Sequence, residues 1–183
     1  MCRVQFGMTL RYVLQQGASG ITLSSSALAS FERFRQRHIW QREAGGQLFA
    51  RFSGSETIIV DATPPTRSDR RRRTAFEPNR RAQHAEIRKR FDAGLHFVGD
   101  WHSHPEPVPS PSRLDLESMR DCIRQSQHDL KALVLVIVGT RPFPQGLWVG
   151  AVSLRECRPL YIDTTEHITI SAANIDTWAS TKQ

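Results

Sequence analysis

A chain of 183 residues with 39% apolar and 23% charged side chains can bury one substantial core and is short for two, so one soluble domain over 1–183 is expected. No apolar run reaches bilayer-spanning length, and the first residues lack the basic-then-apolar pattern of a secretion signal, so the expectation is a cytoplasmic protein without a membrane partner. The net charge of +7 is local: Arg67, Arg70, Arg71, Arg72, Arg73, Arg80, Arg81, Arg88, Lys89 and Arg90 crowd one stretch, a field that favours acidic partners or nucleic acid.

Along the chain, Arg11-Tyr12-Val13-Leu14 reads as a short strand and 16–20 as a turn. Ile21-Thr22-Leu23 is a strand running into the capping cluster Ser24-Ser25-Ser26. Leu28, Phe31, Phe34 and His38 then recur near a helical period, which predicts an amphipathic helix over 26–39. Gly45 and Gly46 end that region and permit unusual backbone angles. Leu48 to Phe52 and Thr57 to Val60 flank Gly54 as a hairpin. Residues 62–78, with Pro64, Pro65 and the arginine run, read as a long loop of the functional or disordered kind.

Asn79 caps a helix over 80–93 with His84, Ile87, Arg88 and Phe91 on one face, and Gly94 closes it. Leu95-His96-Phe97-Val98 is a strand that delivers the chain to Gly99-Asp100-Trp101-His102-Ser103-His104-Pro105. Pro105, Pro107, Pro109 and Pro111 make a stiff link. Ser112 caps a third helix with Leu116, Met119 and Ile123 as its buried stripe. Residues 132–138, apolar on both faces, form a covered strand. Leu147 to Leu154 returns as another, 159–171 adds one or two more, and the tail after Ser171 is expected to fray. The order is mixed α and β around a central sheet. Cys2, Cys122 and Cys157 are odd in number and lack Cys-x-x-Cys spacing, which suggests a reduced protein rather than a disulfide framework.

The chemistry concentrates around the histidines. His102 and His104, two apart on an extended chain, point the same way. The proline link lets Asp115 fold back as a third ligand, and three protein ligands with an open fourth position describe a catalytic zinc site. Ser112 and Asp115 also match a helix capping box with Asp in place of Glu, so capping stands beside the ligand reading.

The pattern His102-Ser103-His104-Pro105-x6-Ser112-x2-Asp115, with Glu43-x-Gly45-Gly46 and a strand far upstream, resembles the JAMM/MPN metalloprotease family over roughly residues 20–155. The resemblance implies an α+β, cytidine-deaminase-like fold, a central mixed sheet flanked by helices. It implies one Zn2+ per chain on His102, His104 and Asp115, Glu43 bonded to the metal's water, and Ser112 stabilising the oxyanion. No catalytic position is replaced, which argues against a pseudoenzyme.

The wording from Gly99 to Ser112 looks like the bacterial branch encoded beside ubiquitin-like E1/E2 enzymes, which includes the isopeptidases of CBASS anti-phage systems. That likeness implies hydrolysis after the C-terminus of a conjugated cGAS-like nucleotidyltransferase, whose extended tail would lie in a groove by strand addition. Two other readings stay open: processing of a small ubiquitin-like sulfur carrier, and a nucleic-acid-associated domain using Arg70, Arg71, Arg72 and Arg73. The arginine cluster lacks the interleaved aromatics that stacking on single strands wants, so nucleic acid ranks below a solvated basic loop that only aids solubility and below docking of an acidic protein face.

Overall fold

The computed structural model describes residues 7–14, 19–126 and 130–164. In chain order the elements are β1 (Leu10–Val13), β2 (Gly20–Leu23), α1 (Ser25–Phe34), β3 (Gly45–Ser53), β4 (Glu56–Ala62), β5 (Arg70–Arg72), β6 (Ala75–Glu77) and α2 (Arg80–Asp92). They continue with β7 (His96–Ser103), α3 (Arg113–Gln125), β8 (Leu133–Val138), β9 (Leu147–Val152), β10 (Cys157–Pro159) and β11 (Tyr161–Ile162). Nine strands form one sheet in the order β10-β9-β8-β7-β3-β4-β2-β1-β11, and β5 pairs with β6 apart from it. The β2–β4 and β7–β8 pairs are parallel and the others antiparallel, so the sheet is mixed as expected.

Strand β8 shows how the two faces are covered. All six of its residues are buried. Val134, Val136 and Val138 join the core under α1, whereas Leu133, Leu135 and Ile137 pack with Met119 of α3. Strict alternation with apolar residues on both sides is what a strand between two helical layers requires. On the α1 side the ring of Trp101 lies 5.2 Å from Phe31 and 6.0 Å from Phe34, and its indole N–H donates to the Thr63 carbonyl.

A bulge in β7 decides which way the histidines face. Phe49 of β3 pairs with Phe97 and Leu48 with Gly99, so β7 spends two residues where β3 spends one. Val98 therefore faces the α1 core, as does Trp101, three residues on. An even alternation would have put them on opposite faces, because a one-residue shift moves every following side chain across the sheet. Gly99 has a φ of 151°, and a Cβ there would stand 1.8 Å from the Val134 carbonyl oxygen. Gly99→Ala is expected to lower stability by about 2–3 kcal/mol. Urea denaturation of the metal-free protein reads this directly; an unchanged midpoint would mean that the bulge is not held by the glycine.

Several expectations need correction. Helix α1 ends at Phe34, not at residue 39. The side chain of Gln41 accepts from the backbone N–H groups of Arg37 and His38, and the buried Gln36 amide donates to the carbonyls of Gln41 and Arg73. This side-chain wrapping replaces a further helical turn. His38 stacks on the exposed Trp40 instead of facing the core. The stretch 62–78 is not all loop: it carries the β5–β6 hairpin, paired from Arg70–Glu77 to Arg72–Ala75. On α2 none of the residues is fully buried, and His84, Arg88 and Phe91 are exposed. Its inner edge is polar instead: Arg90 lies over the Phe49 ring and pairs with Asp61 and Glu86.

Leu95 precedes β7, which runs on through both His102 and Ser103. Strand β9 stops at Val152, leaving Leu154 exposed. Gly45 and Gly46 have ordinary φ values. They serve close approach: a Cβ on either would strike Phe76 or the Thr63 carbonyl. The Ser24, Asn79 and Ser112 caps and the Gly94 terminus occur where the sequence put them. Cys122 and Cys157 are free thiols, and Cys2 and the tail after Ser171 lie outside the described residues.

Candidate metal centre

Past the bulge, Asp100, His102 and His104 share the face of β7 that α3 covers. Strand β7 supplies His102, and His104 follows it with its N–H bonded to the Val138 carbonyl. The proline link then lies against the β8–β9 connection, where the Glu106 and Pro107 carbonyls accept from Thr140 and Arg141. It thereby sets the start of α3 beside the histidines.

Helix α3 opens with a complete capping box. The Ser112 hydroxyl accepts from the Asp115 N–H at 3.2 Å, and the Asp115 carboxylate accepts from the Ser112 N–H at 2.7 Å. That second bond uses Oδ2 and leaves Oδ1 open toward His102. Capping and ligand roles are thus compatible in one carboxylate.

The donor atoms converge. His102 Nε2 and His104 Nε2 are 3.0 Å apart, His102 Nε2 is 3.2 Å from Asp115 Oδ1, and His104 Nε2 is 3.5 Å from Asp115 Oδ2. Ligands bound to one zinc at about 2.0–2.1 Å stand roughly 3.3 Å from each other around a tetrahedron. The spacing and the mix of two imidazoles and one carboxylate therefore fit a metal ion, and these three residues are the group among the described residues suited to hold one. Burial raises the Asp115 carboxyl, but hydrogen bonds from His102 and His104 outweigh it and hold the group ionised well below the usual carboxylate range. Burial lowers the His104 pKa, and Asp115 reverses that into a net rise. Glu106 Oε2 lies 3.6 Å from His104 Nδ1, on the side of the ring away from Asp115.

Glu43 comes from the other end of the sequence. Strand β3 pairs with β7 so that Gly45 stands opposite His102. The residues just before β3 therefore lie beside the histidines. Ala44 is clamped to Ser103: its N–H donates to the Ser103 hydroxyl at 3.0 Å, and its carbonyl accepts from the Ser103 N–H at 2.7 Å. Glu43 is buried, and that burial pushes its carboxyl up to about 7, with His104 pulling it down. Its carboxylate has no hydrogen-bond partner among the described residues, so it is available to exchange a proton.

All five residues singled out in the sequence line one cavity of about 570 Å³, which extends along β7 past Asp100, between α3 and the β5–β6 hairpin. Sequence reasoning missed Ser103. Its signal was its place between the two histidines, where alternation sends its side chain to the opposite face and toward Ala44. The arginine run divides: Arg71 and Arg73 donate to carbonyls of residues 39–43, while Arg70 and Arg72 project outward.

The family described as prokaryotic homologs of the JAB domain matches residues 26–150, which is most of the chain and includes every residue of this centre. The chain belongs to that family. It is 34% identical over 119 residues to a CD-NTase/cGAS isopeptidase of Pseudomonas aeruginosa, covering 63% of this chain and 75% of the relative. A protein of the same name from Escherichia coli is 26% identical over 133 residues, covering 71% and 80%. Among solved structures, a Desulfitobacterium hafniense protein studied in solution superposes with a TM-score of 0.57 at 20% identity, over 76% of this chain and 88% of that one. It shares the JAB-like α+β fold. No helix among the described residues is long and apolar enough to cross a membrane.

Proposed function

We propose that this protein is a zinc-dependent isopeptidase that cleaves the bond after the C-terminus of a conjugated protein. Its substrate would be a cGAS-like nucleotidyltransferase attached to targets by an E1/E2-like enzyme in a CBASS anti-phage system. The observation that carries the reading is one groove holding the His102, His104 and Asp115 donors together with the buried, unpartnered carboxylate of Glu43. The names of the relatives from Pseudomonas aeruginosa and Escherichia coli support the substrate class.

His102, His104 and Asp115 would hold a zinc ion, which would supply Lewis acidity and lower the pKa of water to about 7. Glu43 takes the proton of the attacking water on its carboxylate and returns it to the departing amine. Ser112 donates a hydrogen bond from its hydroxyl to the oxyanion. Its cap role does not compete, because the cap uses an oxygen lone pair to accept from Asp115. The hairpin β5–β6 borders the groove through Ala75, Phe76 and Glu77, and the outer edge of β6 is where an extended tail would add as a strand. Arg70 and Arg72, exposed on that hairpin, are positioned to meet an acidic face of the substrate.

The test is incubation of zinc-loaded protein with a purified nucleotidyltransferase conjugate, read by mass spectrometry. Release of the nucleotidyltransferase with its C-terminus intact is expected, blocked by chelator and restored by zinc. Cleavage that persists after complete metal removal, or release of a sulfur carrier alone, would sink the proposal.

A further inference from the structure

The second side of Glu43 is held by the arginine hairpin. Alternating backbone bonds place residues 43 and 44 between two neighbours, as in a strand. Ala44 bonds to Ser103 on one side. On the other, the Glu43 N–H donates to the Arg72 carbonyl at 2.7 Å, and Arg71 Nε donates to the Glu43 carbonyl at 2.6 Å. Arg71 Nη2 reaches the Arg42 carbonyl at 3.3 Å. One guanidinium thus spans two successive carbonyls, a fork that a point charge cannot reproduce.

Arg71 differs from Arg70, Arg72 and Arg73 in burial: it is half-buried where they are exposed, and it binds two successive carbonyls where Arg73 binds one. A half-buried guanidinium needs its donors met, and the Glu43 and Arg42 carbonyls meet them, with Asp69 as the nearby anion. The Glu43 carboxylate has no hydrogen-bond partner among the described residues, so its place in the groove follows from where its backbone is fixed. Among the described residues that backbone is held on one side by β7, through Ser103 and the Gly45–His102 pairing, and on the other by the hairpin, through Arg71 and Arg72.

We propose that Arg71 is a positioning residue for the Glu43 carboxylate, joining the substrate-side hairpin to the strand end that aims Glu43 into the metal centre. This rests on the reading of Glu43 as the proton carrier. Among the described residues Arg71 makes its hydrogen bonds to the Glu43 and Arg42 carbonyls and none to the three ligands, so it acts on where Glu43 stands. Displacement of a catalytic group by about 1 Å can cost on the order of 10²-fold in rate.

The experiment compares zinc-loaded parent, Arg71→Ala, Arg71→Lys, Glu43→Gln and the Arg71→Ala/Glu43→Gln double variant on one conjugate. Arg71→Ala is expected to lower kcat by roughly 30-fold with KM within about twofold and zinc content unchanged. Arg71→Lys, which can reach one carbonyl, recovers part of the loss and guards against a variant that fails to fold. In the Glu43→Gln background Arg71→Ala costs nothing more, because there is no carboxylate left to misplace. Hydrogen exchange gives a readout independent of turnover: the Glu43 amide exchanges faster in Arg71→Ala, while the Ala44 amide, held by Ser103, does not.

A raised KM at full kcat would make Arg71 a docking residue and overturn the proposal. An undiminished loss in the double variant would do the same. Full activity of Glu43→Gln would instead remove the proton-carrier reading on which the proposal stands.

Discussion

Replacement of Glu43 by Gln is expected to slow cleavage by about 10²- to 10⁴-fold, the usual contribution of a positioned general base, with zinc still bound. The amide keeps the size of the side chain but cannot accept and release a proton. The same variant should be more stable than the parent once the metal is removed. Burial raises the Glu43 carboxyl from 4.5 to about 7, so the folded protein binds this proton more tightly than the unfolded chain does. That stabilisation is complete below about pH 4.5 and is lost as pH rises through about 7, a difference of roughly 3 kcal/mol. Gln has no such dependence. In chelator, the two proteins should therefore unfold alike near pH 4, and the variant should lead by roughly 3 kcal/mol above pH 8. Urea titrations at both pH values measure it. Equal stability at pH 8 would place the carboxylate in contact with solvent or with a cation, and unchanged cleavage would remove Glu43 from the chemistry.

The second large effect concerns the ligands. His102→Ala, His104→Ala and Asp115→Ala should each reduce zinc from one ion per chain to near none and lower cleavage by about 10³-fold or more, since loss of the metal removes several kcal/mol of transition-state stabilisation. Asp115 allows a finer separation. Its carboxylate both faces His102 and accepts from the Ser112 N–H. Asp115→Asn retains an oxygen for the cap and loses the charge that a cation requires. Asp115→Ala loses both. In chelator Asp115→Ala should therefore unfold about 1 kcal/mol below Asp115→Asn, the worth of a helix cap, while the two are equally poor in zinc. Metal analysis and denaturation of the paired variants provide the comparison, and stoichiometric zinc in Asp115→Ala would exclude it as a ligand.

The candidate centre was legible wherever its geometry is local. Two histidines separated by one residue must share a face of an extended chain, and they do. Ser112 and Asp115 at capping spacing must meet at a helix start, and both cap bonds are made. Other features depend on partners distant in sequence. The end of α1 is set by Gln41 and the Arg73 carbonyl, so periodicity carried the helix too far. The arginine run reads as a uniform basic field in one dimension. The hairpin sorts it into outward charges and inward donors to carbonyls that no pattern could reveal.

What the chain determines by itself, then, is the set of functional groups and their local pairing: His102 with His104, Ser112 with Asp115, and the strand and helix types that carry them. Tertiary structure decided the rest. The bulge at Gly99 chose the face on which both imidazoles lie, because side-chain direction along a strand depends on counting from a register that only the neighbouring strands supply. Pairing of Gly45 with His102 brought Glu43 across the sheet, and the hairpin and Ser103 hold its backbone there. These are contacts between residues remote in sequence, and their energy exists only after the sheet has closed.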